Sequence, residues 1–141
     1  MTPAQVDLIQ DSFTKVAPIS EQAAALFYGR LFEIAPEAKQ LFKGDMKEQG
    51  RKLMMTLAVV VNGLTNLESI LPAASALAKR HVAYGVKPDH YAPVGEALLW
   101  TLERGLGAAW TQELAAAWAA AYGTLSQFMI GEAYGRTAAA E

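Results

Sequence analysis

The residues of this sequence best able to do chemistry are polar side chains placed singly on otherwise apolar helix stripes. Five stripes each carry one such exception: Tyr28, Gln49, His81, Tyr91 and Glu132. A buried polar group without a partner costs about 1–3 kcal/mol, so a helical core normally excludes it. Singly, each has a plain structural reading. A lone histidine facing a core can be a hydrogen-bonded structural residue, and the two tyrosines can reach the surface with their hydroxyls. Gln49 can sit at the rim of its stripe, and Glu132 lies near the C-terminus, where a fraying helix tolerates charge. Together, all five are satisfied at once if they converge on one internal site or one bound ligand.

The types in the set narrow that ligand. Of the two histidines only His81 lies on an apolar face, and His-x-x-x-His spacing is absent, which argues against a multi-histidine metal site. His90, within Lys87-Pro88-Asp89-His90, sits among charged residues and is expected in solvent. The chain has no cysteine, which removes thiolate zinc sites, cysteine nucleophiles and thioether-linked cofactors. A single buried histidine can still hold a metal whose other ligands come from a macrocycle, and haem is the common case.

Helices must position these groups. Helical periodicity runs almost end to end, and alanine, the best helix former, supplies 27 residues. Thr2-Pro3-Ala4-Gln5 reads as a capping box, followed by a stripe of Val6, Ile9, Phe13 and Val16. Pro18 ends that helix, Ser20 is the expected cap of the next, and Ala24, Phe27, Tyr28, Leu31 and Ile34 share its buried face. A short helical piece opens at Pro36 and runs to Leu41-Phe42-Lys43-Gly44. A long helix then carries Gln49, Leu53, Leu57, Val60 and Leu64, and frays at Asn62-Gly63. Another, expected to start near Pro72, puts Leu77, His81 and Tyr84 on one face with Gly85 as its C-cap. Pro88 opens the helix of Tyr91, Val94, Leu98 and Leu102, which Gly105-Leu106-Gly107 closes. Thr111 caps the last, whose stripe is Trp118, Tyr122, Leu125, Met129 and Glu132. The expectation is an all-α fold of about seven helices in a single domain spanning 1–141.

Charge and length exclude other classes. With 12 basic against 14 acidic residues and no basic run, there is no footprint for nucleic acid or anionic lipid. The longest nearly apolar run, Leu53 to Val61, is broken by Thr56, whereas a membrane span needs about 20 residues. No targeting signal opens the chain, so the expected location is cytoplasmic. Gly105-Leu106-Gly107-Ala108 lacks a third glycine and follows a helix, so the dinucleotide-binding fingerprint fails.

Several segments in order carry a family likeness: Leu26-Phe27-Tyr28-Gly29-Arg30-Leu31-Phe32, Leu41-Phe42, Gln49-Gly50-Arg51-Lys52-Leu53-Met54 and Asn66-Leu67 with Leu71-Pro72. Ala78-Lys79-Arg80-His81, Val86-Lys87-Pro88-Asp89-His90-Tyr91, Val94-Gly95-Glu96 and Ala117-Trp118 with Ala121-Tyr122-Gly123 complete it. Over essentially its whole length the chain resembles single-domain bacterial haemoglobins of the flavohaemoglobin-type globin family. The resemblance implies a globin fold around a pocket for non-covalent haem b.

It also implies roles. His81 matches the proximal iron ligand, bound as a neutral imidazole. Phe42 matches the aromatic that packs flat on the haem. Tyr28 and Gln49 match a distal polar pair, and Leu53 the apolar residue one turn beyond. Tyr91 and Glu132 match a proximal network that makes the imidazole a stronger electron donor. Arg80, next to His81, is either a partner for a haem propionate or a solvated surface arginine. The implied function is reversible binding of oxygen, and of nitric oxide and carbon monoxide, as a carrier or supplier. The alternative is a nitric oxide dioxygenase fed by a separate NAD(P)H-dependent reductase, because 141 residues hold no flavin or nicotinamide domain.

Overall fold

The computed structural model describes residues 2–42, 44–83 and 85–134, and every regular element in them is helical. Six α-helices run in order: α1 (Pro3–Val16), α2 (Ser20–Ile34), α3 (Met46–Asn62), α4 (Leu67–Ala83), α5 (Tyr91–Leu106) and α6 (Gln112–Tyr134). The all-α expectation holds, with two adjustments. The piece after Pro36 is a 3-10 segment, Pro36–Leu41, rather than a seventh α-helix. The helix bearing His81 begins at Leu67, so that Pro72 lies inside it. A proline there removes one ladder bond and crowds the carbonyl one turn back, and the turn Leu64–Asn66 leads straight into α4.

The caps follow local chemistry. Thr2 and Gln5 form the reciprocal box, at 3.2 Å from the Gln5 N–H to the Thr2 hydroxyl and 3.0 Å from the Thr2 N–H to the Gln5 amide oxygen. Thr111 accepts from the Leu114 N–H at 3.1 Å. Ser20, expected as a cap, is instead the first residue of α2 and makes no capping bond, because the 3-10 turn Ala17–Ile19 runs directly into the helix. Asp45 caps α3 by accepting from the Lys47 N–H at 2.9 Å.

Gly85 follows α4 with φ +96, a left-handed conformation that only glycine adopts without strain. The Gly85 N–H bonds the Val82 carbonyl and the Val86 N–H bonds the His81 carbonyl, both at 3.0 Å. This pair is the Schellman pattern, and it satisfies two orphan carbonyls in the last turn of the His81 helix.

The chain packs α2 on α5 and α3, α1 on α6, and α4 on α6. Among the described residues, most of the buried hydrophobic ones fall into two clusters. The larger runs through α1, α2, α3, α5 and α6 and includes Ile9, Phe27, Tyr28, Leu31, Val61, Leu98 and Trp118. The smaller joins Ala74 and Ala78 of α4 to Tyr91 of α5 and Met129 of α6. Helices α3 and α4 each pack on the rest of the bundle and barely on each other. Among the described residues no single helix is long and apolar enough to cross a membrane.

Candidate functional site

Helix α4 presents His81 half-buried on its inner side. Its Nδ1 lies 2.8 Å from the Leu77 carbonyl, one turn back. A carbonyl can only accept, so Nδ1 carries the proton and the lone pair is on Nε2. Burial holds the imidazole below its ordinary range, with the Arg80 charge adding to it and the Leu77 bond opposing it. The ring is therefore neutral near pH 7, the form that ligates a metal. Tyr91, buried at the start of α5, stacks beside it with ring centroids 6.5 Å apart and an interplanar angle of 25°.

The other polar pair belongs to the larger cluster. Tyr28 is buried on α2, and its ring meets Phe27, Phe42 and Phe32 at 5.0, 5.2 and 6.1 Å. Its hydroxyl lies 3.5 Å from the Gln49 carbonyl at the first turn of α3. That distance is long for an O–H···O bond, so the O–H is held in place yet only weakly committed. Burial pushes the phenol above its usual value and the Gln49 side chain partly offsets this, so Tyr28 is a protonated donor. Leu53, one turn past Gln49, and Phe42 are half-buried against the same cluster.

Two glycines make these placements feasible. A Cβ on Gly50 would lie 2.8 Å from the Ala24 methyl carbon, so glycine lets α3 approach α2 beside the Tyr28–Gln49 pair. A Cβ on Gly95 would lie 2.7 Å from the Tyr122 ring. That close approach lets the Tyr122 hydroxyl donate to the Tyr91 carbonyl at 2.6 Å, pinning the start of α5 where Tyr91 meets His81. The site reading from sequence missed Gly50, Gly95 and Tyr122. A signal was present, since glycine inside a helix costs about 0.5–1 kcal/mol against alanine and so calls for a packing reason.

Glu132 and Arg80 stand apart. Glu132 is exposed and its carboxylate accepts from the Ser75 hydroxyl at 2.8 Å, while the His81 Nδ1–H goes to Leu77. The α6 stripe thus leaves the core between Met129 and Glu132. Arg80 is exposed. His90, expected in solvent, is half-buried, and its Nδ1 accepts from the Lys87 N–H at 2.9 Å across the turn that precedes α5. Tyr84 and Lys43 lie outside the described residues.

Among the described residues no group of three or more His, Asp or Glu side chains could hold a metal ion alone. What the site offers is one neutral imidazole, a separate polar pair, and apolar surfaces on two helices that do not close on each other. Such a donor set fits a flat apolar macrocycle carrying its own metal.

The comparisons agree with that arrangement. The Globin family model matches residues 25–129. A flavohemoprotein of Bordetella parapertussis is 38% identical over 108 residues, covering 74% of this chain and 27% of that protein. One of Vibrio cholerae is 29% identical over 133 residues, covering 92% of this chain and 34% of that protein. The chain thus spans about a third or less of the flavohemoproteins it matches. A solved bacterial globin from Campylobacter jejuni superposes with a TM-score of 0.81 at 27% identity, over 99% of this chain and 100% of that one. The chain belongs to the globin family, and haem b is the cofactor that membership implies and that the His81 donor set fits.

Proposed function

We propose that the chain binds oxygen reversibly, together with nitric oxide and carbon monoxide, and serves as an oxygen carrier or supplier. When bound, haem b supplies an iron centre with an open coordination position for a diatomic gas. His81 would hold that iron through Nε2, and the Leu77 carbonyl fixes both the tautomer and the ring orientation. Phe42 and Leu53 would supply apolar surface that keeps water out. The observation that carries the reading is Tyr28: a buried, protonated hydroxyl beside Gln49 whose O–H is not spent on a strong internal bond. It is suited to donate to a ligand that gains partial negative charge, a contribution of about 1–3 kcal/mol in a dry pocket. Cycling the ferrous, haem-loaded protein between air and argon tests the proposal. The expected result is a visible spectrum that changes and returns over repeated cycles; oxidation to the ferric form in the first cycle would refute it.

A second reading is a nitric oxide dioxygenase, whose net reaction combines nitric oxide, oxygen and one electron to give nitrate. The Tyr91 ring beside His81 favours it, and so does the likeness to flavohemoproteins. The electron would come from an NAD(P)H-dependent reductase. Glu132 bonds Ser75, while the His81 Nδ1–H is directed at Leu77. Steady-state nitrate production with an added reductase distinguishes it from stoichiometric scavenging.

A further inference from the structure

The charges of this chain are unevenly divided. Seven of its twelve basic residues but only four of its fourteen acidic ones fall between 43 and 90, the stretch that carries α3, α4 and the turn before α5. The remainder holds five basic against ten acidic residues. A net charge of −2 thus conceals opposite excesses on the two parts.

Within the positive stretch the cations crowd the site residues. Lys47, Arg51 and Lys52 occupy the first two turns of α3, where Gln49 and Leu53 lie, and Lys79 and Arg80 directly precede His81 on α4. Lys87 stands between His81 and Tyr91, and all six are exposed. Arg51 is engaged by Glu48 at 3.3 Å, while the other five make no ion pair among the described residues. Apolar side chains stand exposed beside them: Met55 and Val59, 64% and 56% exposed and one turn apart on α3, and Val82, 40% exposed, next to His81. Gathered like charges repel one another, and exposed apolar groups are better covered than wet. Apolar residues inside a charged rim are the anatomy of a protein interface. A uniform polyanion, whether nucleic acid or anionic lipid, fits less well, because Asp45, Glu48 and Asp89 are exposed in the same stretch.

We propose that this face docks an acidic electron-donating protein, a flavoprotein whose carboxylates surround an exposed flavin edge. The proposal rests on the reading above that His81 holds a haem iron, which must be ferrous to take oxygen. The flavin hydroquinone gives one electron to the ferric iron and becomes the semiquinone, and the iron becomes ferrous. The exposed cations attract and orient the donor, and Met55, Val59 and Val82 supply the dry contact. Interfaces of this kind are small and transient, and their encounter rate falls as salt screens the charges.

The probe is flavodoxin, a small acidic flavoprotein, with the full haem-loaded chain in its ferric form. Stopped-flow reduction by reduced flavodoxin should slow about tenfold between about 10 mM and about 0.5 M salt. Reduction by free lumiflavin hydroquinone, which has no acidic surface, should change far less. Lys52→Glu and Lys87→Glu should each lower the low-salt flavodoxin rate about threefold or more and leave the lumiflavin rate unchanged. Lys15→Glu, an equal change in net charge on α1, should alter neither rate. Carbodiimide coupling of oxidised flavodoxin to the chain, which joins carboxylates to lysines in contact, should map to Lys47, Lys52 and Lys87. Salt-independent reduction by flavodoxin, equal loss in Lys15→Glu, or cross-links confined to Lys15 and Lys39 would overturn the proposal. So would binding to phosphatidylglycerol vesicles, or self-association, that Lys52→Glu abolishes, since a lipid surface or a second copy would then be the occupant. Failure of lumiflavin to reduce the protein would instead refute the haem reading, and the cross-links would still decide the docking.

Discussion

Gly50 of α3 and Ala24 of α2 approach so closely that a methyl group on residue 50 would sit 2.8 Å from the Ala24 side chain. Gly50 follows Gln49 directly and Ala24 precedes Tyr28 by one helical turn, so this contact sets how near the two polar residues come. Gly50→Ala forces the helices apart. Overpacking of this kind costs about 1–3 kcal/mol, although the better helix propensity of alanine returns part of it. The expected outcome is a lower thermal midpoint together with a faster oxygen off-rate. An off-rate unchanged in a destabilised variant would separate the crossing from the polar pair.

Tyr28→Phe removes the hydroxyl and keeps the ring against Phe27 and Phe42. Loss of about 1–3 kcal/mol corresponds to an oxygen off-rate raised roughly 5- to 150-fold, read by flash photolysis of the haem-loaded protein. Gln49→Leu is expected to do less, because it keeps the backbone carbonyl that the Tyr28 hydroxyl faces at 3.5 Å. The reverse order would assign the donor role to Gln49.

Ser12 is buried, donates to the Ile9 carbonyl at 2.8 Å and accepts from the Trp118 indole N–H at 2.9 Å. Ser12→Ala leaves that N–H buried without its acceptor. Urea unfolding should show a loss of about 1–3 kcal/mol with an unchanged m-value.

Alkaline pH should destabilise the protein in a traceable way. Burial raises the Tyr28 and Tyr122 phenols above 10.0, the second also through its neighbour Tyr91. The unfolded chain then releases these protons near pH 10 while the folded chain keeps them, so stability present below that pH is lost above it. Thermal midpoints followed from neutral pH upward should fall less steeply in Tyr28→Phe and in Tyr122→Phe than in the parent. Parallel curves would show that these phenols ionise alike in both states.

The stripes of α1, α2 and α5 were legible because their apolar spacing is regular, and Val6, Ile9, Tyr28, Leu31, Leu98 and Leu102 are buried as that spacing predicts. Local pattern misled at two places. Pro72 reads as a helix start, but tertiary packing of α4 on α6 carries the helix through it. Glu132 extends a buried stripe by spacing alone, yet it is exposed and its carboxylate turns to Ser75. Ser12 was invisible because a serine on an apolar stripe reads as a boundary, and its indole partner is 106 residues away. The close contacts of Gly50 and Gly95 are likewise relations between distant segments, which no local pattern encodes.

The central claim is that His81, with its tautomer set by Leu77, holds haem b. Visible absorption of reconstituted protein tests it directly, comparing the parent with His81→Gly in the presence and absence of free imidazole. The account predicts an intense haem band in the parent that survives gel filtration, loss of haem from His81→Gly, and its recovery when imidazole fills the space left by the side chain. Equal haem retention by His81→Gly and the parent, with identical ferrous spectra, would contradict it.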